Sequence, residues 1–317
     1  VLVCIFAYII LIDSDSNKEH MIDTQLVDNP KWSRNKCKYM MNKSHEMTLK
    51  NNNIKENNKE WDYYFPCLYD DIDKEIQNVP IKQNGKYFII DNADQIAAKN
   101  YLWDNIVNHH GLERAKLLAP DTFVLSRKKD RERLKKSHYN GKLYIFKKNE
   151  QRQEGLKIVN KLNEKIINDY IKKDKYILAQ ELLQNPYLIN GRKINLRVYV
   201  LIVCYKTKMD IYVYNDGFMY YTKKHFEKNN IDHDVNVTTG YIDRKVYETN
   251  PLTHTDFKKY LDKDRHLTHI ESSLRDRYIV LSKLVFDRIN TMLHDVFVCF
   301  KGNVCRKGNK LFNNISY

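Results

Sequence analysis

The sequence predicts an α+β fold in which mixed and antiparallel sheets are flanked by helices and follow a disordered polar arm. The clearest strand is Lys193–Val203, where polar and aliphatic side chains alternate with a period of two. Apolar residues recur at helical spacing in Val159–Lys172 and Ser272–Phe297, which predicts two amphipathic helices. Residues 13–60 are rich in Asn, Lys, Asp and Ser and contain too little apolar surface to fold alone.

Further elements follow from turn and cap signals. Asn92 is predicted to cap a helix that runs to Asn108. Met209–Tyr214 and Gly217–Tyr221 are predicted to be two antiparallel strands, because the dipeptide Asp216-Gly217 between them favours a tight turn.

The composition favours an acidic partner. The chain has 317 residues, which is enough for about two domains, and a 42% hydrophobic fraction that supports a sizeable core. Charged residues make up 30%, and the net charge is +14. This balance suits nucleic acid, an anionic membrane surface or an acidic protein tail. A genome-wide bias towards Lys and Asn explains the charge equally well, so charge alone does not identify the partner.

The cysteines give no sign of a metal site. None of the six forms a C-x-x-C pair, and no Cys/His group has the spacing of zinc ligands. Cys204 lies in an apolar strand and is predicted to be a small core residue. This pattern favours a reducing compartment.

The amino terminus is apolar over Val1–Ile12. These 12 residues are too few to cross a bilayer, which needs roughly 20. They are the end of a longer signal or anchor, or a buried strand, and membrane attachment is the less favoured interpretation. The polar linker 13–60 separates them from ordered sequence, which resumes at Trp61.

The strand at Lys193 carries the main chemical signal. Lys193, Asn195 and Arg197 fall on one face of the strand, and aliphatic residues fall on the other. Two fixed cations on a sheet face suit a polyanion such as a nucleoside triphosphate. The alternative is an exposed sheet face whose Lys and Arg side chains are simply solvated.

This stretch resembles the tubulin–tyrosine ligase-like enzymes, which include tubulin polyglutamylases and polyglycylases. Their segment Q-x-Y-I-x-x-P-L-L-I-x-G-x-K-F-D-x-R-x-Y-V-L-V carries the adenine hinge and a phosphate-binding strand. The resemblance therefore implies an ATP-grasp-like fold. The matching residues are Gln180, Pro186, Leu188-Ile189, Gly191, Lys193, Arg197 and Tyr199-Val200-Leu201.

Upstream residues extend the resemblance. Pro120, Thr122 and Leu125 match a family segment that precedes the central domain, and Tyr144–Lys147 is similar to the family's W-I-x-K. The resemblance implies that Lys147 contacts nucleotide phosphates. It also implies an amino-terminal α/β region at 61–136, a central ATP-grasp subdomain at 137–185, and a carboxy-terminal subdomain at 186–317 that lacks its last strands.

The resemblance implies an ATP-dependent ligase that joins glutamate, glycine or tyrosine to tubulin or another acidic protein through an acyl phosphate. Lys193 and Arg197 are the candidate catalytic residues. The expected cofactors are ATP and Mg²⁺, with the metal ligands beyond Tyr317, and the expected partners are tubulin and a free amino acid. A cytoplasmic, cytoskeleton-associated monomer without specific nucleic-acid binding is expected. The candidate nucleotide-binding residues are Lys147, Gly155, Gln180, Glu181, Leu182, Leu183, Lys193 and Asn195.

Several positions depart from the family pattern. Asn195 replaces an Asp, Tyr220 replaces an Arg, and Gly155 is the one glycine in a loop that carries two in the family. The sequence stops at Tyr317, before the strands that carry the metal ligands in the family, so the resemblance implies an incomplete member of the family. The alternative function is a non-catalytic relative or fragment that binds microtubules or another polyanion.

Overall fold

The structure, a computed structural model, describes residues 28–35, 37–67, 72–138, 141–149, 155–239, 242–263 and 280–317. The chain folds into two compact units. The described residues of the first unit lie in 94–199 and 213–300, and those of the second lie in 28–93, 200–212 and 301–317. The predicted apolar segment Val1–Ile12 lies outside the described residues. Among the described helices, none is long and apolar enough to cross a membrane.

Helices and strands are interspersed along the chain, and the strands form both parallel and antiparallel pairs. In chain order they are β1 (Lys31–Ser33), α1 (Lys43–Asn51), β2 (Lys55–Glu56), β3 (Tyr63–Tyr64), α2 (Ile72–Asn78), β4 (Lys86–Tyr87), α3 (Asp94–Ala97), α4 (Lys99–His110), α5 (Leu112–Leu118), β5 (Thr122–Val124), α6 (Lys128–His138), β6 (Tyr144–Lys147), β7 (Leu156–Val159), α7 (Glu164–Lys172), β8 (Leu178–Glu181), β9 (Leu188–Ile189), β10 (Arg192–Tyr205), β11 (Lys208–Thr222), α8 (His233–Asn236), β12 (Thr238–Thr239), α9 (Val246–Thr249), α10 (His254–Lys263), α11 (Leu281–Phe297) and β13 (Ile315–Ser316).

The first unit contains an antiparallel sheet in the order β5-β8-β6-β7. One face of this sheet packs on α6 and α7 through Phe123, Leu134, Phe146 and Ile167, all of which are almost fully buried. Parts of β10 and β11 belong to the same unit, where β9 pairs with β10 and β12 pairs with β11.

The second unit is built on parallel pairing. Strands β1 and β3 pair with each other, as do β3 and β4, and β13 joins β4 on one side and β10 on the other. Its core is aromatic, and Phe88 stacks on Phe65 at 4.3 Å and on Tyr317 at 5.0 Å between ring centroids.

The linker interpretation of residues 13–60 is wrong for the described part of that range. Asn42 caps α1, because its side chain accepts a hydrogen bond from the backbone N–H of Ser44. Leu49 and Ile54 are buried in one cluster with Phe65. A segment with few apolar residues folds here because those few join an aromatic cluster that contains Phe65 and Phe88.

The cysteine interpretation is also wrong. Cys204 is buried as predicted, but it forms a disulfide with Cys305, and Cys37 pairs with Cys67. Disulfides persist in oxidising surroundings, so the cysteines no longer support a reducing compartment. Cys204 and Cys305 are 101 residues apart, and spacing in the sequence does not reveal such a pair.

Asp216-Gly217 is not a turn. It lies inside β11, which is continuous over 15 residues. A Cβ on Gly217 would meet the backbone oxygen of Arg197 and the ring of His254, so the glycine permits close approach rather than chain reversal. The reversal between β10 and β11 occurs at Lys206, which has a positive φ of 53°.

Two helix starts differ from prediction. Asn92 has a positive φ of 63°, which is not the extended conformation of a capping residue, and its side-chain amide donates to the backbone carbonyl of Asn303. Val159 ends β7, and α7 begins at Glu164, where the side chain of Asn163 caps it. Helix α11 begins at Leu281, and residues 272–279 lie outside the described part of the chain.

Candidate functional site

Lys147 lies at the end of β6, which is an inner strand of the four-stranded sheet. Its Nζ donates a hydrogen bond to Gln180 Oε1 at 2.6 Å. Burial, assisted by the charge of Lys99, lowers the pKa of Lys147 to about 8. The neighbouring strand therefore holds the ammonium through a neutral amide.

Lys99 is a further candidate residue, which sequence reasoning missed. It begins α4, and burial lowers its own pKa. Its charge acts on Lys147, so the first unit places two amines within electrostatic reach of each other. A usable signal existed, because a cation in the first turn of a helix opposes the helix dipole and needs another reason to be there.

The face assignment of β10 is confirmed. Ile194 and Leu196 pack against the apolar cluster that contains Met219. Because side chains alternate along a strand, Lys193 and Arg197 point to the opposite face. Asn195 lies between them on that face and is half-buried. Burial also lowers the pKa of Lys193.

Tyr220 contacts Arg197 directly. The guanidinium carbon lies 4.5 Å from the centroid of the Tyr220 ring, which is a cation–π arrangement. The family's Arg at this position would place a second cation beside Arg197. In this chain an aromatic ring holds the single arginine instead.

An apolar cluster lies on the same sheet as Lys147. Leu182 packs in it with Ile145 and Ile158, and Val237 packs against it from the loop before β12. Leu183 is 47% exposed and lies outside the cluster. The cluster is buried and lies next to the segment that joins β8 to β9.

The remaining candidates are Glu181 on β8 and Gly155 before β7. Glu181 forms an ion pair with Lys142 at 2.7 Å, and its backbone N–H donates to Asp121, so its side chain is already engaged. Gly155 has a positive φ of 67°, and its carbonyl accepts from Lys148 N–H, which closes the loop between β6 and β7. Residues 150–154 of that loop lie outside the described part, so its predicted single-glycine character stays a prediction.

The profile of the tubulin-tyrosine ligase family matches residues 90–314. This chain belongs to the tubulin-tyrosine ligase family. Membership confirms the recognition made from Gln180 to Leu201 and the ATP-grasp-like α+β fold class. All of the candidate residues, and Lys99 as well, fall inside the matched range.

Individual relatives are similar over short stretches. The chain is 36% identical over 99 residues to the probable tubulin polyglutamylase TTLL9 of Rattus norvegicus, and this covers 29% of the chain and 21% of the relative. It is 44% identical over 64 residues to TTLL9 of Bos taurus, which covers 20% and 13%. It is 27% identical over 144 residues to the tubulin monoglutamylase TTLL4 of Mus musculus, which covers 44% and 11%. The matches thus span about a fifth or less of each relative's own length.

Lys147, Lys193 and Arg197 share one electrostatic feature. Within the part of the chain that the structure describes, no carboxylate forms an ion pair with Lys147, Lys193 or Arg197, whereas Lys142 and Arg133 each have an acidic partner. Within the same residues, no group of three or more His, Cys, Asp or Glu side chains is arranged to hold a metal ion. The described residues therefore fit a phosphate-bearing anion and do not by themselves fit its metal.

Proposed function

We propose that this chain is part of an ATP-dependent ligase that attaches an amino acid to tubulin. The observation that carries the proposal is that, within the described residues, no carboxylate pairs with Lys147, Lys193 or Arg197 in this member of the tubulin-tyrosine ligase family. A charge kept away from water without a counter-charge is unfavourable unless a ligand supplies one. Glutamate is the amino acid to test first, because the relatives are described as a polyglutamylase and a monoglutamylase.

Each group has a defined task in this proposal. Lys147, Lys193 and Arg197 bind phosphate oxygens, and the Asn195 amide lies between the last two as a hydrogen-bonding group. The segment Gln180–Leu183, in which Leu183 is 47% exposed, lines the adenine. Bound ATP supplies the phosphoryl group that activates a carboxylate.

Tubulin fits the charge of the chain. A net charge of +14 favours the acidic tails of tubulin through long-range attraction, which raises the association rate. At physiological ionic strength, salt largely screens the attraction between charges that are more than about 8 Å apart. Association with tubulin should therefore weaken steeply as salt is added.

Nucleotide binding is the first test. ATP is expected to raise the melting temperature of the chain, because a ligand that binds only the folded state stabilises it. Lys147→Ala and Lys193→Ala should each weaken binding by about tenfold to a hundredfold, the range expected for one charge-assisted hydrogen bond. Affinity should also fall as the pH rises through about 8, where Lys147 loses its proton. Lys283→Ala is the control, since Lys283 is exposed on α11 and pairs with Asp287.

Ligation is the second test. The chain is incubated with tubulin, ATP, Mg²⁺ and labelled glutamate, glycine or tyrosine, and incorporation into tubulin is measured. Label that depends on ATP and on Lys147 supports the proposal. If no amino acid is incorporated and ATP does not shift the melting temperature, the proposal fails.

A non-catalytic relative that binds microtubules is the second candidate. The contact between Arg197 and Tyr220 favours it, because the position of a family cation holds an uncharged ring. Co-sedimentation with microtubules, together with ATP binding but without incorporation of any of the three amino acids, would select this function.

A further inference from the structure

Thr122 lies next to Gln180 across the strand pair of β5 and β8, with Thr122 in register with Gln180. Gln180 is in turn in register with Ile145 on β6. Because side chains two residues apart share a face, Lys147 lies on the same face as Ile145 and Gln180. Thr122, Gln180 and Lys147 thus form a row across three neighbouring strands.

The number of protons on each group determines which atom donates in each hydrogen bond of this row. The Thr122 hydroxyl donates to the carbonyl of Pro120 at 2.8 Å. A hydroxyl has one proton, so Thr122 Oγ1 can only accept from the Gln180 side chain, which lies 2.8 Å away. The amide nitrogen of Gln180 must therefore face Thr122, where it also lies 3.5 Å from the Pro120 carbonyl oxygen, and the amide oxygen must face Lys147.

Lys147 independently requires the same direction. An ammonium group has three donors and no acceptor, so it needs the oxygen of Gln180 and would be repelled by the amide nitrogen. The amide oxygen lies 2.6 Å from Lys147 Nζ. Both ends of the row select one orientation of the amide, which an isolated glutamine would not maintain.

We propose that Thr122 is a positioning residue whose hydroxyl orients the Gln180 amide so that its oxygen holds the Lys147 ammonium ready for a phosphate. This inference rests on the proposed nucleotide-binding function and deepens it. A neutral acceptor fixes one donor of the ammonium without cancelling its charge, and two donors remain for phosphate oxygens. Thr122 is 1% exposed, so water does not replace its hydroxyl.

The test measures Lys147 without any ligand. Competitive labelling with acetic anhydride over a pH series, followed by peptide mass spectrometry, reports the pKa and reactivity of individual lysines, and the exposed Lys283 serves as internal reference. Thr122→Val keeps the branched shape but removes the hydroxyl. The Lys147 pKa is expected to fall by about one pH unit, since one hydrogen bond to the charged form is no longer enforced. Thr122→Ser should restore the parent value.

ATP affinity provides the second readout. Thr122→Val should weaken ATP binding by about tenfold, and Thr122→Ser should not. Gln180→Glu is an independent variant, because a carboxylate should raise the Lys147 pKa and yet also weaken ATP binding by neutralising the ammonium. Thr122→Val and Gln180→Glu thus shift the Lys147 pKa in opposite directions, and both lower the affinity for ATP.

The outcomes separate the inference from the function on which it rests. If Thr122→Val leaves the Lys147 pKa at the parent value, or if Thr122→Ser is as damaging as Thr122→Val, the positioning role is wrong. If no protein binds ATP, including the parent, the proposed function fails, and the labelling result still decides whether Thr122 controls Lys147.

Discussion

Replacing Gly217 by alanine should damage both stability and the site. A Cβ on Gly217 would overlap the backbone oxygen of Arg197 and would lie 2.5 Å from Cε1 and 2.9 Å from Nε2 of His254. Neither neighbour can withdraw easily, because one is backbone in β10 and the other is a ring that is 2% exposed. One of the two strands must therefore move.

Overpacking of this kind destabilises a protein by about 1–3 kcal/mol. The restriction of the unfolded chain by alanine offsets roughly 0.4–1 kcal/mol of that loss. We therefore expect a net loss of about 1–2 kcal/mol in the free energy of unfolding, measured from urea denaturation midpoints. Because the displaced backbone belongs to Arg197, ATP affinity should fall as well.

Gly111→Ala is a matched control. Gly111 has a positive φ of 77°, and no atom lies within 4 Å of its added Cβ. This variant suffers backbone strain of about 1–3 kcal/mol without any new contact. The two variants should lose similar stability, and only Gly217→Ala should lose ATP affinity. Unchanged stability in Gly217→Ala, or equal ATP affinity in both variants, would refute the reasoning.

Two further predictions concern stability alone. Burial lowers the pKa of His254 to about 4, against the raising effect of Asp216 and with the repulsion of Lys258. As the pH falls, the unfolded state therefore binds the proton at a higher pH than the folded state does. The free energy of unfolding should fall by at most about 3 kcal/mol as the pH drops from 6.5 to 4. Urea titrations of His254→Gln should lack this loss. The disulfide Cys204–Cys305 closes a loop of 101 residues, for which chain entropy predicts roughly 5 kcal/mol, so reduction or Cys204→Ala should lower the denaturation midpoint strongly. An unchanged midpoint after reduction, verified by thiol labelling, would contradict that assignment.

The sequence revealed the parts of the fold whose causes are local. The alternation in Lys193–Val203 predicted both the strand β10 and the face that carries its cations, because a period of two is visible within a few residues. Family membership was likewise predictable from the spacing of residues such as Gln180 and Gly191. Local patterns were sufficient in these two cases because both the strand and the family motif are defined by the order of neighbouring residues along the chain.

The errors share a different physical origin. Gly217 was assigned to a turn because Asp-Gly is a local turn signal, but its reason for being glycine is a contact with Arg197 and His254. The pairing of Cys204 with a residue 101 positions away, and the effect of Lys99 on Lys147, also depend on tertiary contacts. Sequence reasoning fails at these positions because the relevant neighbour lies on another element.

Two consecutive residues of β8 show how the sheet leaves charge available for a ligand. Gln180 and Glu181 point to opposite faces of the strand, and each accepts a hydrogen bond from a lysine. Lys142 is partly exposed and pairs with the carboxylate, whereas Lys147 is shielded enough to lower its pKa and, among the described residues, bonds to the amide rather than to a carboxylate. If the sheet needed only stability, the carboxylate would serve better beside the shielded lysine, where an uncompensated charge is more unfavourable. The observed arrangement leaves the charge of Lys147 beside the buried side chains of Ile145 and Leu182, where the phosphate-bearing ligand proposed above would compensate it.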